Sequence, residues 1–444
     1  MTRTTRPALI LSIPAAIFLF IIIAAFDRHD GNNKTTDATI SCKIQTVKKA
    51  CVFKTFMGLE AFDTSVVHFD SRLIETSLTR GLDWLMRAQQ PNGGWGAGSH
   101  SGQHIKDPHA VPADPASTAL VAMALLRTSE QPFEGKYSAH LLKAVNYLLL
   151  ATEQSPDKAV NITNLTNTQP QSKLGQNIDV ILTAQFFSSM LHKIDKTKPD
   201  LKPRVEAALQ KCVQKVQNGQ DTDGSWKDGG WAPVLQSALA NNALESAKGM
   251  GAKVDDKVLQ RSRDYQKSNY DVKTNSAATG KAAGVLLYSV SSSARASAKE
   301  ARIAKQKIEE AKKEGKIEIT AGVSVSNLVK AGLTPAEAQQ YQTAYEVQVN
   351  SAKRAQASDV EQGFGSNGGE EFLSYLMTGE SLIIGSDNEW KKWYEKMSGR
   401  LVQIQNNDGS WNGHHCITSP VVCTATCLLI LSIDKDMDFL VKLK

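Results

Sequence analysis

The chain has 444 residues, of which 41% are hydrophobic and 22% charged, and a formal charge of +6. That composition is globular, and the length suffices for one large core or two to three ordinary ones. The charge is mild for the length, and Lys and Arg are spread out apart from one helical stretch, so nucleic acid is not indicated as a partner.

In chain order the first feature is residues 7–26, PALILSIPAAIFLFIIIAAF, uncharged and preceded by Arg3 and Arg6. At about 1.5 Å per residue such a helix crosses a hydrocarbon layer of roughly 30 Å. Arginines before it and almost none just after it put the N-terminus in the cytoplasm and the body outside. The following AAFDRHD matches a cleavage site poorly, which favours an uncleaved anchor over a cleaved signal. Residues 1–30 are therefore expected to form a single-pass anchor in a bacterial inner membrane, with the body in the periplasm or otherwise exported. Residues 31–69 form an exported linker, in which Cys42 and Cys51 could pair in an oxidising compartment. Cys423 and Cys427 share one helix face, a spacing that does not favour a disulfide between them.

From residue 70 the chain reads as paired helices. Residues 70–89, 137–152, 201–217, 255–268 and 388–405 carry charges on one side, as outer helices do. Their partners are DPASTALVAMALLR, residues 177–192, APVLQSALANNALESA, residues 276–292, residues 369–383 and SPVVCTATCLLILS. These are small or apolar on nearly every face, which suits a helix surrounded by protein. Six inner helices thus face five outer ones, and the sixth outer helix must lie between Ser293 and Gln362. Two segments qualify: charge-rich residues 297–316, and residues 334–356, which open with Thr334, Pro335 and Glu337 as a capping box. The other is expected to project from 296–362 as a charged helical insertion, either a solvated hairpin or a partner-binding arm. Residues 435–444 read as a tail.

Three units end alike. Gln89, Gly93 and Trp95 recur as Gln220, Gly224 and Trp226, and again as Gln405, Gly409 and Trp411. Glycine accepts the positive φ that ends a helix, tryptophan adds a large plate whose N–H needs an acceptor, and glutamine can satisfy nearby backbone groups. The pattern is an internal repeat of helix, Gly-Trp turn and helix.

This Q-x3-G-x-W pattern resembles the QW repeats of squalene-hopene and oxidosqualene cyclases and the related repeats of protein prenyltransferase β subunits, over roughly residues 70–434. The resemblance implies an all-α fold, an (α/α)6 toroid of six inner and six outer helices around a central cavity. It also implies a structural role for Gln89, Trp95, Gln220, Trp226, Gln405 and Trp411, and a cavity that accepts an isoprenoid or other apolar ligand. The family's catalytic signatures are absent: the sequence has no D-x-D-D, no Asp-x-Cys and no thioester element. Orthodox class II cyclisation or protein prenylation is therefore not expected, and whether the chain is an enzyme stays open.

Ring closure would make the first and last repeats neighbours, bringing His100, His104 and His109 towards His414, His415 and Cys416. Cys423 lies in the last inner helix, and Glu370 and Glu371 open the one before it. Imidazole, thiolate and carboxylate are the ligand set zinc prefers. His415, Glu370 and Glu371 are the candidate catalytic residues. His100, His104, His415, Cys416 and Cys423 are the candidate ligands, with zinc as the candidate cofactor. Solvated loop histidines, packed cysteines or a Cys416–Cys423 disulfide are the competing readings. Two functions follow: a membrane-anchored, extracytoplasmic toroid that binds an apolar ligand and carries a rim site, or a non-catalytic toroid that contacts a protein partner through 296–362.

Overall fold

The computed structural model of the protein describes residues 71–194, 198–226, 230–363, 368–385 and 389–442. The anchor segment at residues 7–26 and the Cys42–Cys51 pairing lie outside them. Among the described residues no helix is long and apolar enough to cross a membrane.

Outer and inner helices alternate. The first half runs α1 (Ser71–Arg87, outer), α2 (Pro115–Thr128, inner), α3 (Ser138–Gln154, outer), a short α4 (Gln169–Leu174), α5 (Ile178–Ile194, inner) and α6 (Lys202–Asn218, outer). Then follow α7 (Pro233–Gly249, inner), α8 (Asp256–Ser268, outer), α9 (Leu286–Lys313, inner), a short α10 (Val325–Lys330) and α11 (Pro335–Ala355, outer). The chain finishes with α12 (Ser358–Glu361), α13 (Gly369–Ile384, inner), α14 (Trp390–Ile404, outer), α15 (Pro420–Leu431, inner) and α16 (Met437–Lys442). Each inner helix packs on the inner helices before and after it, and α15 returns to α2, so the six close a ring. Burial follows composition. Every residue of α13 and α15 is buried, whereas α1 buries only the stripe Ile74, Ser77, Leu78, Gly81, Leu82 and Leu85, the spacing of an amphipathic helix.

The three Gln–Gly–Trp units make the same bonds. Trp95, Trp226 and Trp411 donate their indole N–H to Leu85, Val216 and Leu401 carbonyls at 2.7, 2.8 and 2.9 Å. Their backbone N–H groups donate to hydroxyls of the following inner helix, Thr118, Ser237 and Thr424. Gln89, Gln220 and Gln405 donate across to the next outer helix, at His140, Val258 and Ser77 carbonyls. The last of these bonds links α14 to α1 and closes the ring. Gly409 has φ +98°, and a Cβ there would stand 2.5 Å from the Arg80 carbonyl oxygen, so the close approach of the two helices requires glycine.

The interval 293–362 is built differently from the expectation. Residues 297–316 are not a separate helix: α9 runs without a break from the inner ring to Lys313, because SSSARASAKEAR contains no glycine, proline or capping signal to stop it. The expected start of this inner helix at residue 276 is also too early. Ser276–Ala277 pairs with Tyr270–Asp271 as a small hairpin, and Ala283 and Gly284 at positive φ keep the chain non-helical until Leu286. The outer slot is taken by α11, whose Thr334–Glu337 capping box is formed. The distal part of α9, α10 and the start of α11 enclose a satellite core of Ala304, Ile308, Ala311, Ile317, Leu328 and Ala338.

Where the inner helices finish, buried charges are paired. Arg127 binds Asp436 and Glu380 at 3.0 and 3.1 Å, Arg295 binds Glu380 at 2.9 Å, and Arg263 binds Glu245 at 2.7 Å. Phe439 and Leu440 of α16 enter the same end of the ring, against Leu120, Leu182 and Leu373. The axial space left is about 40 Å³, room for one or two waters. Among the described residues, the space that inner-helix side chains and α16 leave here is smaller than the isoprenoid-sized cavity implied by the resemblance.

Candidate functional site

The opposite end of the ring, where α13 and α15 begin, holds the predicted cluster. Segment 413–419 runs into α15 and is clamped along the start of α13. Gly368 bridges His415 in parallel, and the Gly369 N–H donates to the Ile417 carbonyl at 2.9 Å. A Cβ at Gly369 would lie 2.7 Å from the Ile417 side chain, so the contact needs a bare backbone. The turn is tight enough to hold Cys416 at φ +55°, a left-handed conformation that is uncommon for a cysteine.

Glu370 and Glu371 occupy the first turn of α13, where the helix dipole favours acids. Glu371 accepts from the Gly368 N–H at 2.8 Å and from the Tyr288 hydroxyl at 2.6 Å, and its Oε1 lies 3.6 Å from His415 Nε2. Glu370 accepts from the Ile417 N–H at 3.3 Å. The carboxylate of Glu370, the imidazole of His415 and the thiol of Cys416 each offer a donor atom, and these atoms lie within 4.8 Å of one another.

Electrostatics mark the cluster as short of positive charge. Burial and the neighbouring Glu371 carboxylate push the Glu370 carboxyl up to about 8. Burial, then Glu370, pushes the Cys416 thiol up to about 12. Burial and Glu371 raise Tyr288 further above the usual phenol range. A divalent cation would reverse each of these effects by favouring the charged form of its ligands. The donor chemistry therefore fits a borderline-soft metal ion. Beside the donors a narrow cleft, with free space of about 10 Å³, is walled by Trp231, Ala232, Ala283, Val285 and Tyr288.

Ring closure does bring the first-repeat loop here, but the histidines are not what connects it. Gln103 donates to the Cys416 carbonyl at 2.8 Å and Lys106 to the Thr418 carbonyl at 3.0 Å. Gln169 accepts from the Thr418 and Ser419 N–H groups and donates to the Ala97 carbonyl. His100 and His104 are exposed, and the His100 ring pairs with Gln103 at 2.6 Å. Both stay outside the donor group. So does Cys423, which is buried and donates to the Ile417 carbonyl at 3.6 Å. All four described cysteines are free thiols, so the Cys416–Cys423 disulfide is not formed.

Sequence reading gave no role at this rim to Tyr288, Gln169, Gln103 or Trp231. Only the polar start of α9, with a phenol among serines and alanines, gave any hint of the first. The others make contacts between segments far apart in the chain.

No protein-family model matches the chain, and no curated protein does. Among solved structures, a type II terpene cyclase variant from Scytonema in complex with its product merosterolic acid A aligns over 83% of this chain and 98% of its own, at 12% identity and a TM-score of 0.44.

Proposed function

We propose that the protein is a membrane-tethered, extracytoplasmic α/α toroid whose working part is a zinc site at the rim, held by Glu370, His415 and Cys416. The observation that carries this reading is the convergence of three donor types within 4.8 Å beside a cleft. The tether is residues 7–26, and the charge asymmetry around them supports an exported body. Held by these three residues, a zinc ion would supply Lewis acidity at the rim. The chain's own residues do the rest. Glu371 fixes His415 and is itself held by Tyr288 and the Gly368 N–H, the outer-shell support that metal ligands need. Ala232, Ala283 and Val285 give the cleft an apolar wall. The proposed ligand is an isoprenoid or other apolar molecule, which would approach this apolar wall.

Metal analysis of the purified full-length chain tests the reading. One zinc per chain is expected, retained through dialysis and lost in His415→Ala and Cys416→Ala. Wild-type protein that holds no stoichiometric metal after equilibration with zinc would overturn it. The second reading, a non-catalytic toroid that contacts a protein partner through 296–362, would then stand. It is favoured by a groove of about 400 Å³ between the distal half of α9, residues 321–323 and Tyr345.

A further inference from the structure

Cys416 is held at φ +55°. A left-handed conformation at a non-glycine residue is strained and persists only where the surrounding structure dictates it. Beyond Cys416 the backbone is fixed group by group. The Cys416 carbonyl accepts from Gln103 Nε2 at 2.8 Å, and the Ile417 N–H donates to Glu370 at 3.3 Å. The Ile417 carbonyl accepts from the Gly369 N–H at 2.9 Å. The Thr418 and Ser419 N–H groups both donate to Gln169 Oε1, at 2.8 and 3.1 Å, and the Thr418 carbonyl accepts from Lys106 at 3.0 Å. Every backbone donor and acceptor from the Cys416 carbonyl to the Ser419 N–H is thus bonded within the protein, which leaves the segment little freedom to relax.

Gln169 is the centre of this clamp. It is fully buried, its own N–H donates to the Gly98 carbonyl at 2.9 Å, and its Nε2 donates to the Ala97 carbonyl at 2.8 Å. The Thr168 capping box fixes the start of α4 around it. One carboxamide therefore joins the first-repeat loop, α4 and the segment that enters α15. Gln103 adds a second bond from the same loop, its carbonyl accepting from the Thr418 hydroxyl at 2.8 Å. The donor group itself is Glu370, His415 and Cys416, and the two glutamines reach it through the backbone that carries His415 and Cys416. Ligands of a metal ion must be held to within about 0.5 Å of their working geometry, so what fixes this backbone bears directly on the site.

We infer that Gln169, assisted by Gln103, is the positioning residue of the rim site: by holding Cys416 in its left-handed conformation it keeps the Cys416 thiol and the His415 imidazole within reach of Glu370. The inference rests on the reading of these three residues as a zinc site. Freed of the clamp, Cys416 returns to the ordinary negative-φ region and its side chain leaves the donor group. Ring closure and metal binding are then linked, because the glutamines belong to the first two repeats and the ligands to the last two.

Zinc titration of the full-length chain in competition with a chromophoric chelator, with the cobalt(II)-loaded spectrum recorded alongside, tests it. Wild type binds zinc, and its cobalt(II) form shows the near-ultraviolet charge-transfer absorption of a thiolate ligand. Gln169→Leu removes the acceptor of the Thr418 and Ser419 N–H groups and weakens zinc binding about tenfold to a hundredfold, the usual cost of losing a group that orients a metal ligand. The thiolate band fades with it. Gln103→Leu, at a half-buried position, acts in the same direction to a smaller extent and decides the matter should Gln169→Leu not fold. A role in stability alone would lower the unfolding midpoint of metal-free protein and leave zinc affinity and the cobalt spectrum of the folded variant at wild-type values. That result overturns the inference while the zinc reading stands. Wild-type protein that binds neither metal overturns both.

Discussion

At the end of the ring where the inner helices finish, Glu380 is held between Arg127 and Arg295, and its carboxyl is kept below the usual range by those guanidiniums despite burial. At the end where they begin, Glu370 is buried just as deeply beside a second carboxyl and is pushed up to about 8. Asp114 behaves likewise at the start of α2, raised to about 7 by burial and by Asp179. The same residue class in the same low-dielectric setting thus has opposite fates, decided by whether a cation stands opposite. Charge that is balanced within the fold needs nothing further and reads as structure. Charge left unbalanced beside a cleft is where a cation or ligand can still contribute.

The largest expected effect breaks the balanced end. Glu380→Gln leaves two buried guanidiniums without their shared partner and costs about 3–5 kcal/mol in denaturant unfolding, with zinc content unchanged. Loss of zinc in this variant would mean that the two ends are not independent.

The next effect belongs to the unbalanced end. A carboxyl that keeps its proton in the folded state and loses it on unfolding makes stability fall as pH rises. For Glu370 the stability is fully present below about 4.5 and is lost as pH climbs through about 8. In zinc-free protein, Glu370→Gln should flatten this decline and gain a few kcal/mol at pH 9 while changing little at pH 4. A wild-type stability curve that rises over the same window would contradict the assignment.

The smallest effect is a control. His104 is exposed and lies outside the donor group, so His104→Ala should shift stability by no more than about 0.5 kcal/mol and leave the metal content intact. A matching loss of zinc would put the first-repeat histidines back among the ligands.

Much of the fold was legible in the chain. The outer and inner helices differ in composition because one kind meets water on one side and the other meets protein on all sides. The three Gln–Gly–Trp units announce themselves because each supplies a turn, a plate and an amide at fixed spacing. Ring closure followed from counting the pairs, and with it the meeting of the 97–106 loop and the 413–419 segment. The break between α9 and its neighbours was misplaced, since an alanine- and serine-rich run can belong to a buried helix or a projecting one. Only packing against α11 and α13 settles which.

The site was legible only in part. Glu370, His415 and Cys416 could be named because the sequence offers acid, imidazole and thiol at helix starts that ring closure makes adjacent. His100, His104 and Cys423 had the same chemistry but different tertiary placements, two in solvent and one turned into the core. The sequence by itself determined the repeat, the helical class and the inventory of groups that could bind, because these depend on local periodicity and residue type. Tertiary structure alone decided how little space the described inner helices leave between them and which charges find partners. Those outcomes depend on distances between helices that only packing sets.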